Sequence, residues 1–240
     1  MDSIIDLRRK INHRLKRMIN KIYGLKIFCI SLQRTGTTST GQFFKDYGYS
    51  VATYGLSKKN AWTLSCFEGD FETIFQSRDF RISQVFEDDP WWLGDFYKVL
   101  YYRFPRSKFI LLERDADKWF DSMVAHSGGK TLGNTHLHCS HYQRLMDFYE
   151  IAGGALKNAY SGTIDNALPL GEEQRHHYTS FYKVRNDEVK LFFHHHDSKR
   201  LFNARLEDDG LWQKMGFFFN IDVMPEYTVH VNKSSNRKMS

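Results

Sequence analysis

The stretch KIFCISLQRTGTTST, Lys26–Thr40, decides the fold of this chain. Its first part, KIFCISL at 26–32, is a short apolar run rich in Ile and Phe, which is typical of a buried strand. A polar loop that contains Gly36 follows. A helix is then predicted from about Thr38 to Tyr47, and it ends at Gly48 because glycine favours helix C-termini. The stretch therefore predicts a strand, a tight loop and a helix in succession.

The same alternation of apolar runs and helical periods continues along the chain. Further strands are predicted at Ser50–Thr53, Ile82–Phe86, Lys108–Leu112 and Arg200–Leu206. Helices are predicted over part of 60–80 and at Trp91–Arg103, Asp115–Ala125, about His141–Leu156, Glu172–His196 and Asp208–Phe219. Such alternation predicts a three-layer α/β/α fold, a central parallel sheet with helices on both faces. Ligands of such folds bind beyond the carboxyl ends of the strands.

The composition is that of a soluble globular protein. The 240 residues are 41% hydrophobic and 26% charged, which is ordinary for this class and enough for a sizeable core. Cys29, Cys66 and Cys139 are widely spaced, which argues against a disulfide framework and for a reducing compartment, the cytoplasm. The net charge of +6 favours an anionic ligand or an acidic surface. The sequence has no apolar run of membrane-spanning length.

Residues 1–24 have a basic amphipathic pattern, in which apolar residues recur at helical steps between arginines and lysines. Such a helix either lies peripherally on an anionic membrane surface or packs on the domain or frays in solvent, and both interpretations stay open. Residues 25–240 are predicted to form a single domain. Within it, the stretch 126–170 is rich in Gly, Ser, Asn and His and is predicted to be a peripheral insertion or lid.

The loop between the first strand and the first helix has the features of an anion site. Gly36 permits a tight turn whose N–H groups point into a concavity, and the helix that starts there adds its positive end. A fixed charge and several hydroxyl groups come from its neighbours, Arg34, Thr35, Thr37, Thr38 and Ser39. An ATP-type P-loop requires G-x-x-x-x-G-K-[ST], but Ser31 and Thr37 replace its first Gly and its Lys. The alternative is a plain strand–helix turn with a capping threonine.

The segment QRTGTTS, 33–39, resembles the phosphosulfate loop of sulfotransferases, in which a basic residue precedes a short hydroxyl–Gly–Thr run. Better-known cytosolic members have Lys at this position, and Arg34 is similar to the RTGT-bearing branch of the family. The resemblance extends from Lys26 to Ser234. It implies a P-loop NTPase-like fold and the co-substrate 3′-phosphoadenosine 5′-phosphosulfate. The residues that it assigns to this co-substrate are Arg34, Thr35, Gly36, Thr37, Thr38 and Ser39.

A second segment, KFILLERDADKWFDSM at Lys108–Met123, is similar to the 3′-phosphate motif of the same family. In that motif an Arg follows a buried strand and a Ser lies eight positions later; here these are Arg114 and Ser122. Arg114 leaves the strand at its carboxyl end, and Ser122 lies about two turns into the next helix, so that together they can hold a terminal phosphate. The alternative makes Arg114 a surface ion-pair partner and Ser122 a helix-surface residue.

The resemblance also implies the chemistry, an in-line transfer of a sulfuryl group to a hydroxyl. This reaction needs a base for the acceptor proton and positive charge at the leaving phosphate, and Arg34 suits the second task. The predicted strand Ile82–Phe86 ends in Glu87-Asp88-Asp89-Pro90. The RTGT-bearing branch has an Asp two residues before a Pro at this place, which corresponds to Asp88. Asp88 is therefore predicted to be the base, and the scheme requires no metal.

The neighbours of Asp88 leave the identity of the base open. Mutual repulsion among adjacent carboxylates raises at least one pKa, which moves a weak base towards useful strength. Glu87 is the second candidate, and Asp89 could instead cap the helix that is predicted from Trp91. A solvated acidic turn is the alternative for each of these carboxylates, and a histidine that approaches from 126–170 is a further candidate.

The histidines form two groups without recognised metal-ligand spacing. One contains His136, His138 and His141 together with Cys139, and the other is the run His194–His196. Both groups are predicted to be surface or lid residues.

The acceptor is predicted to be a hydroxyl-bearing glycan, lipid or small molecule, and no nucleic acid is expected as a partner. Two other functions stay open at this level. One is a P-loop-type nucleotide or small-molecule kinase, although the absence of the P-loop Lys argues against it. The other is a sulfotransferase-like nucleotide-binding protein that has lost catalysis. The sequence does not indicate an oligomeric state.

Overall fold

The computed structural model describes residues 25–127, 136–152 and 170–231. The basic helix predicted at 1–24 and much of the predicted lid at 126–170 lie outside these residues. The described residues form two compact units. The sheet unit contains those of Met1–Glu113 and Phe192–Asn232, and the second unit contains those of Arg114–Leu191. The assignment of 25–240 to one domain stays a prediction.

The sheet unit is built on a five-stranded parallel sheet with the strand order β2-β3-β1-β4-β5. The strands are β1 (Ile27–Cys29), β2 (Val51–Ala52), β3 (Val85–Phe86), β4 (Lys108–Glu113) and β5 (Leu201–Arg205). Strand β1 lies at the centre, where Phe28 pairs with Phe86 of β3 and with Phe109 of β4. Because β1 and β3 are parallel neighbours, the loops that follow them leave the sheet at the same edge.

The described residues also contain eleven α-helices. In order they are α1 (Thr37–Asp46), α2 (Tyr54–Lys59), α3 (Trp62–Phe67), α4 (Phe71–Gln76), α5 (Arg78–Ile82), α6 (Phe96–Arg103), α7 (Ala116–Ser127), α8 (His136–His141), α9 (Leu145–Ala152), α10 (Arg175–His196) and α11 (Leu211–Phe219). Short 3₁₀ turns at Glu172–Gln174 and Ser198–Arg200 precede α10 and β5. Within the described ranges, no helix is long and apolar enough to cross a membrane.

Side chains of the strands alternate between two buried layers, as the pleat of a strand requires. On one face, Ile27 and Cys29 belong to the same core as α1 and α11, in which Phe43 stacks on Trp212 at 5.5 Å between ring centroids. On the other face, Phe28 contacts aromatic rings of β3, of β4 and of the segments around α5 and α6, namely Phe86, Phe109, Phe80, Trp91 and Phe104. The predicted α/β fold with three layers is therefore confirmed, and it is consistent with a P-loop-like fold.

All five predicted strands occur, and the largest difference concerns the helix predicted at Trp91–Arg103. Helix α6 begins only at Phe96, because residues 91–95 form turns. Trp91 and Trp92 are completely buried, and Gly94 has a φ of +42°, a left-handed conformation that interrupts a helix. Burial of two indole rings thus overrides the helical period of the sequence at this point.

Candidate active site

The loop after β1 forms a compact strand–loop–helix connection. Arg34 has a φ of +65° and Gly36 a φ of +90°, so that the chain passes through two left-handed residues before α1 starts at Thr37. Gly36 is the N-cap residue of α1, and no side chain caps this end of the helix. The N–H groups of the first helical turn have no partner within the helix, and they carry the positive end of its dipole. This arrangement suits an anion such as a phosphate.

Most hydroxyl side chains of the loop are buried, and one is partly exposed. Thr35 is completely buried, and its Oγ1 donates to the carbonyl of Leu32. Ser39 is buried as well, and its Oγ accepts a hydrogen bond from the N–H of Val231 at 3.0 Å. Thr37 is buried, whereas Thr38 is half-buried. Of the predicted hydroxyl donors, Thr38 therefore has the side chain best exposed to a ligand.

Ser31 has a role that the sequence did not indicate. Its Oγ donates to the carbonyl of Ile110 at 3.2 Å and accepts from the N–H of Leu112 at 2.7 Å. The serine thus ties the start of the loop to β4 at a position where an ATP-type P-loop has glycine. Only the pairing of β1 with β4 brings these groups together, so no local sequence signal could have identified the contact.

We expect Gly36→Ala to destabilise the loop for two reasons. A residue with a Cβ costs about 1–2 kcal/mol in the left-handed conformation. The added Cβ would also stand 2.7 Å from Cδ1 of Leu206, closer than real side chains approach. Urea unfolding should therefore show a loss of stability. The double variant Gly36→Ala/Leu206→Ala should recover the part due to the collision but not the part due to φ; full recovery would contradict the backbone argument.

The acidic turn follows β3, the strand next to β1. Asp88 has a φ of +69°, and its carbonyl accepts the N–H of Trp91 at 3.2 Å. Asp tolerates this left-handed conformation better than most residues do. Glu87 and Asp89 are only 3% and 5% exposed, whereas Asp88 is half-buried. Of the three adjacent carboxylates, Asp88 is therefore the one that a ligand can reach.

Burial is the main cause of unusual ionisation in this turn. It raises the pKa of Glu87 to about 8 and that of Asp89 to about 7, and the charge of Asp88 adds to both shifts. Burial also raises the pKa of Asp88, whereas the charge of Arg34 lowers it. Mutual repulsion, which the sequence suggested as the cause, is thus secondary to desolvation. The influence of Arg34 on Asp88 indicates that the loop and the acidic turn lie close together.

Asp89 connects the turn to the loop. The side chain of Gln33, next to Arg34, forms a hydrogen bond with the Asp89 carboxyl group. The alternative role of Asp89, as the cap of a helix that starts near Trp91, is wrong because α6 starts at Phe96.

Arg114 and Ser122 belong to the second unit. Arg114 comes directly after β4, and its N–H donates to the Tyr182 hydroxyl at 2.9 Å. The Tyr182 ring stacks on Trp119 of α7 at 4.5 Å between centroids. Ser122 lies on α7, whose first N–H groups are capped by the Asp115 carboxylate. Tyr182 therefore holds the backbone of Arg114 at the start of the turn into α7.

The histidines His138 and His141 of α8 are half-buried. Burial lowers the pKa of His138 to about 4 and that of His141 well below its ordinary value, so both side chains are neutral at pH 7. Their assignment as surface or lid residues stays a prediction. The run His194–His196 is exposed at the end of α10. In the part of the chain that the structure describes, no group of three or more His, Cys, Asp or Glu side chains could hold a metal ion.

The family model described as a sulfotransferase domain matches residues 26–236. No curated protein matches the chain.

Proposed function

The chain belongs to the sulfotransferase family, and from this premise we propose that it transfers a sulfuryl group from 3′-phosphoadenosine 5′-phosphosulfate to a hydroxyl of its acceptor. The acceptor is a glycan, a lipid or a small molecule. The proposal includes a cytoplasmic location, as the cysteines favour. Contact of residues 1–24 with an anionic membrane surface stays a prediction.

The residues of the loop fit the phosphosulfate end of this co-substrate. Gly36 permits the left-handed backbone of the loop, with its φ of +90°, and the uncapped start of α1 offers N–H donors to anionic oxygens. Arg34 adds a planar guanidinium group that suits phosphate and sulfate oxygens. Thr35, Thr37 and Ser39 support the loop from buried positions, and Thr38 contributes a partly exposed hydroxyl. Arg114 and Ser122 would hold the 3′-phosphate.

The proposed reaction is a single in-line displacement. The acceptor oxygen forms a bond to sulfur while the bond from sulfur to the 5′-phosphate oxygen breaks. The acceptor proton goes to the Asp88 carboxylate. The electron pair of the broken bond stays with the leaving phosphate, where Arg34 and the N–H groups of α1 stabilise the developing negative charge. The co-substrate thus supplies the activated sulfuryl group, and the protein supplies a base and an anion site.

The proposal rests above all on the place of Asp88. It is the accessible carboxylate of the turn, and it lies near enough to Arg34 for the guanidinium charge to lower its pKa. The proposed base for the acceptor and the proposed cation for the leaving group therefore belong to loops that leave the sheet at the same edge, at the carboxyl ends of β3 and β1. This pairing also favours an active enzyme over an inactive binding protein.

Calorimetry with adenosine 3′,5′-bisphosphate and with ATP tests the choice of co-substrate. We expect the bisphosphate to bind and ATP to bind weakly or not at all, because Thr37 stands where an ATP-type P-loop has Lys. Micromolar binding of ATP without binding of the bisphosphate would support the kinase alternative and overturn the proposal.

Arg114→Ala should weaken binding of adenosine 3′,5′-bisphosphate by about 1.5–3 kcal/mol, the range for a hydrogen bond to a charged group. Calorimetry measures this directly. Arg106→Ala, which removes an exposed arginine of the sheet unit, is the control and should leave the affinity unchanged. Tyr182→Phe keeps the ring beside Trp119 but removes the hydroxyl that accepts the backbone N–H of Arg114. It should therefore weaken binding of the bisphosphate less than Arg114→Ala does. Unchanged affinity in Arg114→Ala would refute its role.

A further inference from the structure

Glu87 occupies an unusual place for a carboxyl group. It follows β3 directly and is 3% exposed, and its N–H donates to the carbonyl of Ala52 at 3.1 Å. Its side chain lies against Gly41 of α1, where an added Cβ would stand 2.9 Å from Cγ, 3.2 Å from Cδ and 3.5 Å from Oε1. A glycine at position 41 thus makes room for the glutamate under the helix.

A third element also meets this side chain. The N–H of Tyr54, the first residue of α2, donates to the Glu87 carboxyl group. The other oxygen, Oε2, is buried and has no hydrogen-bond partner among the described residues. Through its backbone and its side chain, Glu87 therefore contacts β2, α1 and α2, and the residue bonded to it is Asp88.

These contacts argue against Glu87 as the catalytic base. An acceptor hydroxyl cannot reach a side chain that is 3% exposed and covered by α1, whereas Asp88 is accessible. The contacts suit a role in holding the backbone of the neighbouring residue, Asp88. Asp88 has a left-handed backbone, and such a conformation persists only when its surroundings hold it. Glu87 is the adjacent residue that is attached to three elements.

We propose that Glu87 is a positioning residue, whose side chain, seated beneath Gly41 and bonded to the Tyr54 N–H, holds the backbone that carries Asp88. The inference rests on the proposed function, because it needs Asp88 to be the base. Glu87 does not touch the acceptor and gives or takes no proton in the reaction.

The charge state of Glu87 fits this task. Its pKa is raised to about 8, mainly by burial and also by the charges of Asp88 and Asp89, while Lys45 of α1 acts in the opposite direction. Tyr54 of α2 also faces the acidic turn. At neutral pH the side chain is therefore protonated, and it adds no negative charge beside Asp88. The neutral amide of glutamine has the same shape and can accept the same hydrogen bond.

The test compares Glu87→Ala, Glu87→Gln and Gly41→Ala with the wild-type protein. Turnover is followed as release of adenosine 3′,5′-bisphosphate, a product common to every acceptor and to water, with 2-naphthol as the added hydroxyl. Glu87→Ala and Gly41→Ala should lower kcat about 10- to 100-fold, the effect of displacing a catalytic group by about 1 Å. Affinity for the bisphosphate should stay within about threefold, because the anion loop is untouched. Glu87→Gln should retain turnover at pH 7.

Gly41→Ala separates positioning from stability, because alanine is the better helix former and the carboxyl group remains. Its matched control is Gln42→Ala on the same helix, which removes only an exposed hydrogen bond to Asp46 and should keep wild-type turnover. Thermal unfolding at several pH values adds a second measurement. The folded state keeps the Glu87 proton up to about pH 8 whereas the unfolded state loses it near 4.5, so wild-type stability falls between these values. The difference between the Tm of Glu87→Gln and that of the wild-type protein should therefore increase from pH 5 to pH 9.

The outcomes distinguish the two levels of the proposal. If Glu87→Ala and Gly41→Ala turn over at the wild-type rate while an Asp88 variant is inactive, the positioning role is wrong and the proposed function stands. If Glu87→Gln is as defective as Glu87→Ala, the ionised carboxylate is needed and the role is wrong as well. If an Asp88 variant is fully active, Asp88 is not the base and the positioning role of Glu87 is wrong with it. If the wild-type protein releases no bisphosphate, the proposed function itself fails.

Discussion

Asp88→Asn is expected to lower turnover by about 10²- to 10⁴-fold, the usual contribution of a positioned general base. The amide keeps the shape of the carboxylate but cannot take the acceptor proton. Asn also tolerates the left-handed backbone of this position, with its φ of +69°, so the fold of the turn should survive. Release of adenosine 3′,5′-bisphosphate measures turnover, and calorimetry should find nearly unchanged affinity for the same compound.

Asp95→Asn is the matched control for this substitution. Asp95 lies seven positions along the chain, and its side chain is 70% exposed beside Lys98. The control should keep wild-type turnover. An Asp88→Asn variant with more than about a tenth of wild-type turnover would exclude Asp88 as the base, since loss of a general base costs at least 10²-fold. Glu87 and Asp89 are too deeply buried to replace it without movement of the turn.

The wild-type pH profile follows from the same assignment. Because burial raises the pKa of Asp88, the base is protonated at low pH, and turnover should rise as pH increases through that raised value. The low-pH limb should therefore lie above the ordinary range for an aspartate.

Arg34→Met is expected to lower kcat by about 10²- to 10³-fold, the range for removal of one donor that stabilises transition-state charge. The substitution should have a second, independent effect. The charge of Arg34 lowers the pKa of Asp88, so its removal should move the low-pH limb of turnover to higher pH. A profile of kcat against pH for the wild-type and variant proteins measures both effects.

Arg34→Lys separates charge from shape. Met and Lys both place an unbranched side chain on a backbone with a φ of +65°, so the two variants strain the loop alike. The Lys variant should keep the wild-type position of the low-pH limb and lose less turnover than the Met variant, because it keeps the charge but not the planar fork of donors. Arg103→Met, at a surface arginine near Glu72, should change neither quantity. A Met variant with an unshifted limb would show that Arg34 does not act on Asp88.

Most of the sheet could be predicted from the sequence because its signals are local. Apolar runs such as KIFCISL and KFILL indicate buried strands wherever they stand, and all five predicted strands occur. The loop with Gly36 was predictable for the same reason, since a turn between a strand and a helix needs a residue that accepts a positive φ. The helix predicted from Trp91 failed because its first residues are held by burial of two indole rings, which a helical period cannot reveal.

The candidate site was predictable only as a set of separate motifs. Arg34 and Asp88 are 54 positions apart in the sequence, and the order β2-β3-β1-β4-β5 brings their loops to one edge of the sheet. The contact of Ser31 with β4 likewise depends on strand pairing. The lowered pKa values of His138 and His141 depend on burial, for which their polar neighbourhood in the sequence gives no signal.

The sequence by itself determined the strand–loop–helix unit at Lys26–Thr40, the family, and the acidic turn that contains the proposed base. These follow from residue type and short spacing, which act within a few residues of the chain. Only the tertiary structure decided which carboxylate of the turn is accessible and which ones are buried. Asp88 stays accessible, and the charge of Arg34 lowers its pKa, while Glu87 is enclosed beneath Gly41. The physical reason is that burial and the pKa values it sets depend on neighbours from distant parts of the chain, which no local pattern records.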